Sequence, residues 1–120
     1  MKKKGKKLYL QQKKRALKKI VGTFAKPRLA VFRSHEHIYG QLIDDETSTT
    51  LAFSSTLDKK IMESIQSKRT IEASNIVGQD LAKKAKLRNI EKVVFDRGTK
   101  PYHGRIKSLA EGARQEGLIF

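Results

Sequence analysis

Leu29-Ala30-Val31-Phe32-Arg33-Ser34-His35-Glu36-His37-Ile38-Tyr39-Gly40-Gln41-Leu42-Ile43 reads as two extended segments joined by a two-residue turn at His35-Glu36. Such a turn pairs Ser34 with His37, which sets Phe32 opposite Tyr39 and Val31 opposite Gly40. An acidic turn, Asp44-Asp45-Glu46-Thr47-Ser48, leads into a third strand over Thr50 to Ser55. The two-residue period of strands sorts the faces. Leu29, Val31, Ile38, Leu42, Leu51 and Phe53 are expected on the core face, with Gly40 leaving room for Phe53. The opposite face then carries Ala30, Phe32, Ser34, His37, Tyr39, Gln41, Thr50, Ala52 and Ser54, and is open or covered by something polar.

Outward from this meander the period changes to helical. Residues 56–70 hold no clear pattern beyond a short helix around Lys60 to Ile65. A longer helix is expected from Glu72 to Leu87, with Ala73, Ile76, Val77, Leu81 and Ala85 on one stripe. Lys92 to Asp96 reads as a fourth strand. Strand, helix, strand makes a crossover unit, so strands three and four are expected to run parallel with a right-handed connection. A last helix spans His103 to Glu116, with Ile106, Leu109, Ala110 and Ala113 inward and Gly117 at a left-handed cap. The expected fold is therefore α/β (α+β), β-β-β-α-β-α, with a mixed four-stranded sheet and helices mainly on one face. It occupies residues 26–120, behind a basic N-terminal arm of residues 1–25. In the arm Leu8, Gln12, Ala16 and Ile20 recur at helical spacing.

Charge limits the function classes. Lys and Arg number 27 against 12 Asp and Glu, a net +15 in 120 residues. Thirteen of the basic residues precede Glu36, where no acid occurs. A run of this kind repels itself and calls for a polyanion. Cysteine is absent, which excludes disulfides and thiolate metal sites. No stretch approaches the roughly 18 apolar residues of a spanning helix, and the basic start lacks the apolar run of a secretory signal. The arm is too lysine-rich and too poor in bulky apolar residues to favour a membrane surface.

Two segments concentrate nucleic-acid chemistry. In the arm, Lys13, Lys14, Arg15, Lys18 and Lys19 are placed to neutralise phosphates. Asp96-Arg97-Gly98-Thr99-Lys100-Pro101-Tyr102-His103-Gly104-Arg105 follows a strand and opens a helix, where main-chain N–H groups attract anions. Arg97 and Arg105 lie outside the core stripe, so their joint removal is expected to change stability by less than about 1 kcal/mol. Lys83 and Lys84 on the long helix serve as comparators of equal charge. Phe32, Tyr39 and His37 either stack on exposed bases or form a cross-strand cluster that stabilises the hairpin. Metal binding by His35 and His37 finds only His103 to add. Asp44, Asp45, Glu46 and Asp96 fit a two-metal nuclease poorly, because three of them sit in a turn that favours acids for local hydrogen bonding. No nucleophile elbow, phosphate-binding loop or zinc-hydrolase motif occurs, so catalysis has no support.

Lys26-Pro27-Arg28-Leu29-Ala30-Val31-Phe32-Arg33-Ser34, His37-Ile38-Tyr39 and Ile43-Asp44-Asp45 closely resemble the first half of the bacterial-type ribosomal protein L eighteen family. Ser54-Ser55-Thr56-Leu57, Val77-Gly78, Val93-Val94-Phe95-Asp96-Arg97-Gly98 and Tyr102-His103-Gly104-Arg105-Ile106-Lys107 continue the resemblance in order. It implies a structural protein of the large subunit's central protuberance that binds 5S rRNA and touches 23S rRNA and neighbouring proteins. It also implies a monomer without catalytic activity, cofactor, metal or membrane contact, in a bacterial cytoplasmic or a plastid ribosome. The family's RNA contacts carry over to Arg28, Arg33, Ser34, His37, Tyr39, Arg97, Gly98, Tyr102, His103, Gly104, Arg105 and Lys107. Thr99-Lys100-Pro101 departs from the family pattern and leaves the path of that loop open.

Overall fold

A computed structural model describes residues 20–64, 71–98 and 101–120. The helix expected in the arm, its cations Lys13, Lys14, Arg15, Lys18 and Lys19, and residues Thr99 and Lys100 lie outside the described residues. In chain order the elements are β1 (Arg28–Arg33), β2 (Ile38–Asp44), β3 (Thr49–Ser55), α1 (Lys59–Ser64), α2 (Ile71–Leu87), β4 (Val94–Asp96) and α3 (Gly104–Gln115).

The β1–β2 hairpin has the expected register, Phe32 opposite Tyr39 and Val31 opposite Gly40. Ser34 closes it twice, its N–H donating to the His37 carbonyl at 2.8 Å and its hydroxyl accepting the His37 N–H at 3.2 Å. At the next turn Asp44, almost fully buried, accepts from the Glu46 N–H and the Thr47 hydroxyl, both at 3.0 Å. This is the local hydrogen bonding that favours an acid in a turn.

The third strand departs from simple alternation. Leu42 faces Ala52 whereas Ile43 faces Thr50, so Leu51 is the extra residue of a β-bulge. Past the bulge the parity reverses. Leu51 and Ala52 both enter the core, Ser54 follows Ala52 inward, and Phe53 emerges on the opposite face, 45% exposed. The expected core role of Phe53 is thus overturned. Gly40 instead makes room for the helices: a Cβ there would lie 3.0 Å from Leu81 Cδ2 and 3.5 Å from Leu109 Cδ1.

The sheet order is β3-β2-β1-β4, with β4 parallel to β1. Strands three and four do point the same way, but from opposite edges, because α2 carries the chain across the whole sheet. The reason is visible at both edges. β1 carries Leu29, Ala30 and Val31, all buried, and needs neighbours on both sides. The outer edge of β3 is already capped, since Lys84 Nζ donates to the Phe53 carbonyl at 2.8 Å. Lys84 is held there by Asp80 at 3.0 Å and Asp58 at 3.7 Å. A charged cap of this kind keeps a strand edge from further pairing. Lys84 is therefore part of the fold and no match for a solvated surface cation. The expected fourth strand also divides: Val94–Asp96 joins β1, whereas Lys92 bridges Ile119 near the end of the chain.

α2 and α3 cover one face of the sheet. The stripe Ala73, Val77, Leu81 and Ala85 is fully buried, as are Leu109, Ala110 and Ala113 of α3, with Ile106 nearly so. The two helices touch backbone to backbone. A Cβ on Gly78 would fall 2.0 Å from the Leu109 carbonyl oxygen, and one on Gly112 would fall 2.2 Å from that of Asn75. α3 ends as its sequence predicts: Gly117 has φ +106°, and Leu118 N–H returns to the Ala113 carbonyl at 3.1 Å. Among the described residues the other sheet face carries no helix.

Candidate nucleic-acid interface

The hairpin tip and the start of α3 meet at one end of the sheet. Arg105 Nη2 donates to the Ser34 carbonyl at 3.1 Å, so the turn and the helix are tied directly. His37 is fixed from below. The buried Thr56 hydroxyl accepts the Ile38 N–H at 3.2 Å and lies 3.0 Å from His37 Nδ1. Nε2 is then the ring atom left for a ligand. Arg33 is exposed at the same end of β1.

The face opposite α2 and α3 carries an aromatic diagonal across three strands. Phe32 is 48% exposed and lies opposite Tyr39. Tyr39 faces Ser55, so Phe53, two positions back, is its diagonal neighbour. The His37 and Tyr39 rings sit 6.3 Å apart and tilted. Phe53 is the member that alternation alone misassigned.

Arg28 lies near the other end of this face and is engaged by protein. Asp45 takes it with both carboxylate oxygens, from Nε at 2.9 Å and Nη2 at 3.1 Å, and Asp96 Oδ2 accepts from Nη1 at 3.0 Å. The bond to Asp45 leads, with that to Asp96 behind it; together they outweigh partial burial and hold the guanidinium above its ordinary range. Asp45 also accepts the Gly22 N–H at 2.7 Å and returns its own N–H to the Gly22 carbonyl at 2.9 Å. The point from which the basic arm departs is thereby pinned to the sheet. Neither acid stood out as a holder of Arg28, because the partners are 17 and 68 residues away.

Beyond β4 the predicted loop separates into two parts. Arg97 and Gly98 are exposed beside β1, and the Gly98 N–H donates to Asp96 Oδ1 at 2.8 Å. With Arg28, Ala30, Val31, Phe32 and Asp96 they line a depression of about 200 Å³. His103, Gly104 and Lys107 line another, of about 270 Å³, between the starts of α2 and α3. Tyr102 turns inward. Its ring meets Phe95 edge-on at 5.8 Å, and its hydroxyl accepts from Arg114 Nη1 at 3.0 Å. Arg114, which also lies over the Phe120 ring at 4.3 Å, is a loop anchor with no signal in the local sequence.

The structure thus brings Ser34, His37 and Arg105 together at the tip, and Arg28, Arg97 and Gly98 together around Phe32. Across residues 2–120 the chain matches the family described as "Ribosomal L18 of archaea, bacteria, mitoch. and chloroplast". It is 55% identical over 102 residues to the large ribosomal subunit protein uL18c of Guillardia theta, covering 85% of this chain and 95% of that one. The uL18c of Cyanophora paradoxa is 56% identical over 108 residues, 89% of each chain. The uL18 of Thermotoga petrophila is 50% identical over 111 residues, 92% of this chain and 91% of its own. A match of this extent places the chain in the ribosomal L18 family.

Proposed function

We propose that this protein binds 5S rRNA and helps attach it to 23S rRNA in the central protuberance of the large ribosomal subunit. Its family is one of structural ribosomal proteins and not of enzymes, and its relatives come from bacterial and plastid ribosomes. In this reading the protein acts as a monomer beside rRNA and neighbouring ribosomal proteins and needs no cofactor.

The observation that carries the reading to RNA is the tip cluster. Ser34 and His37, neighbours across the hairpin turn, are joined by Arg105, 71 residues from Ser34, where the exposed turn meets a helix start. His103, at the helix N-cap, makes no side-chain capping bond, and the first turn of α3 holds no acid, which leaves that helix start favourable to a phosphate. The arm's cations add affinity without sequence information. The acids that a nuclease would need are otherwise engaged, Asp45 and Asp96 with Arg28 and Asp44 within its turn. Among the described residues no group of acids and histidines is arranged to hold a metal, and no helix is long and apolar enough to cross a membrane.

Footprinting on isolated 5S rRNA, with an unrelated structured RNA as competitor at fixed salt, tests the proposal. Protection of a defined region that survives competitor excess is the expected result. Equal displacement by either RNA would overturn it.

A further inference from the structure

β4 stops at Asp96, opposite Ala30, while β1 runs on to Arg33. Beyond Ala30, among the described residues, the outer edge of β1 has no strand beside it, and this is where the depression of about 200 Å³ opens. Its floor is Ala30 and Val31. The half-exposed Phe32 and Arg97-Gly98 line it as well, and the Arg28–Asp96 ion pair sits where the β1–β4 pairing ends. A Cβ added to Gly98 would meet nothing within 4 Å, so that side is open to an approaching group.

We propose that this depression seats a single unstacked nucleobase of the bound RNA, its ring on Phe32 and its phosphate on Arg97. The inference rests on the reading of the chain as an RNA-binding protein and names the kind of nucleotide that reading requires here. The components match that ligand. An exposed aromatic face supplies stacking that any base can use, and a neighbouring guanidinium supplies charge for the linked phosphate. That outer edge of β1 offers main-chain polar groups to the rim of a base. An extended peptide adding to the same edge is the competing occupant. It fits less well, because only three residues of edge remain, an ion pair sits where the β1–β4 pairing ends, and the chain carries +15.

The test uses the full chain and a set of 5S rRNAs, each with one unpaired nucleotide made abasic. Phe32→Leu is expected to weaken binding about five- to a hundredfold, the range for loss of one base–aromatic stack, whereas Phe32→Tyr keeps it. One abasic RNA should weaken wild-type binding by the same factor and cause no further loss with Phe32→Leu. Arg97→Ala should couple to Phe32→Leu in a double-mutant cycle, since both hold one nucleotide. Unchanged binding by Phe32→Leu, or no single abasic position that mimics it, overturns the base site while wild-type preference for 5S rRNA stands. Absence of that preference in the wild type is a separate result and sinks the underlying reading instead. Phe32 is a surface residue, and the Tyr variant reports separately on whether an aromatic ring is what the site needs.

Discussion

Arg105 Nη2 and the carbonyl oxygen of Ser34 are 3.1 Å apart in space and 71 residues apart in sequence. One side chain thus joins the first hairpin to the last helix.

That bond divides the two arginines that the sequence grouped. Arg97 is exposed, so Arg97→Ala should shift stability by no more than about 0.5 kcal/mol. Arg105 is half-buried, and Arg105→Ala removes a charge-assisted bond worth roughly 1.5–3 kcal/mol. Thermal unfolding of the two single variants measures the difference. Equal midpoints would mean that the tie to Ser34 contributes nothing. RNA binding is then best compared through Arg97→Ala, with Lys83→Ala and Arg88→Ala as exposed comparators in place of Lys84.

Asp45→Ala breaks more than one ion pair. It strips Arg28 of its bidentate partner and leaves the Gly22 N–H without its acceptor. The groups are about a quarter exposed, so a loss of roughly 2–4 kcal/mol is expected, near the lower end of the range for breaking a buried pair. Urea unfolding with an unchanged m-value checks this. If Arg28→Ala lowers RNA affinity only as far as it lowers stability, Arg28 acts on RNA through the fold and not by contact.

Gly78→Ala provides a test of sign. On an exposed helix the change would stabilise by roughly 0.5–1 kcal/mol. Here the new methyl would collide with the Leu109 carbonyl oxygen, so α2 and α3 must separate. Destabilisation by at least about 2 kcal/mol is expected, as for overpacking in a filled core. A stabilised variant would show that the helices do not meet at this glycine.

Binding to 5S rRNA should fall by roughly 10³–10⁵ between 50 and 200 mM salt if about 6–10 phosphates are contacted. Removing residues 1–19 should flatten that slope and keep the preference for 5S rRNA, because the cut leaves Gly22 on Asp45. Loss of all discrimination in the shortened chain would mean that arm and domain have exchanged roles.

The hairpin register was readable because a two-residue turn admits one pairing, and the helical stripes because 3.6-residue spacing recurs over several turns. The third strand was not, since the extra residue at Leu51 reverses every later side chain and leaves no mark in composition. The same limit applied to the site. The family resemblance implied RNA contact at Arg28 and Tyr102. Their engagement by Asp45, Asp96 and Arg114 depends on partners that only the folded chain brings near.

The pairing of β4 with β1 sets a timetable for a chain being made on a ribosome. Three strands are complete once residue 55 has emerged, yet β1 waits for its second neighbour until Val94–Asp96 is synthesised. Val93 N–H bonds to the Ile119 carbonyl, so closure waits still longer, for nearly all of the 120 residues. During that interval the unfinished sheet presents a bare edge of buried-type residues, a hazard for newborn chains. The basic segment precedes the sheet in the chain, so its cations emerge long before that edge is covered.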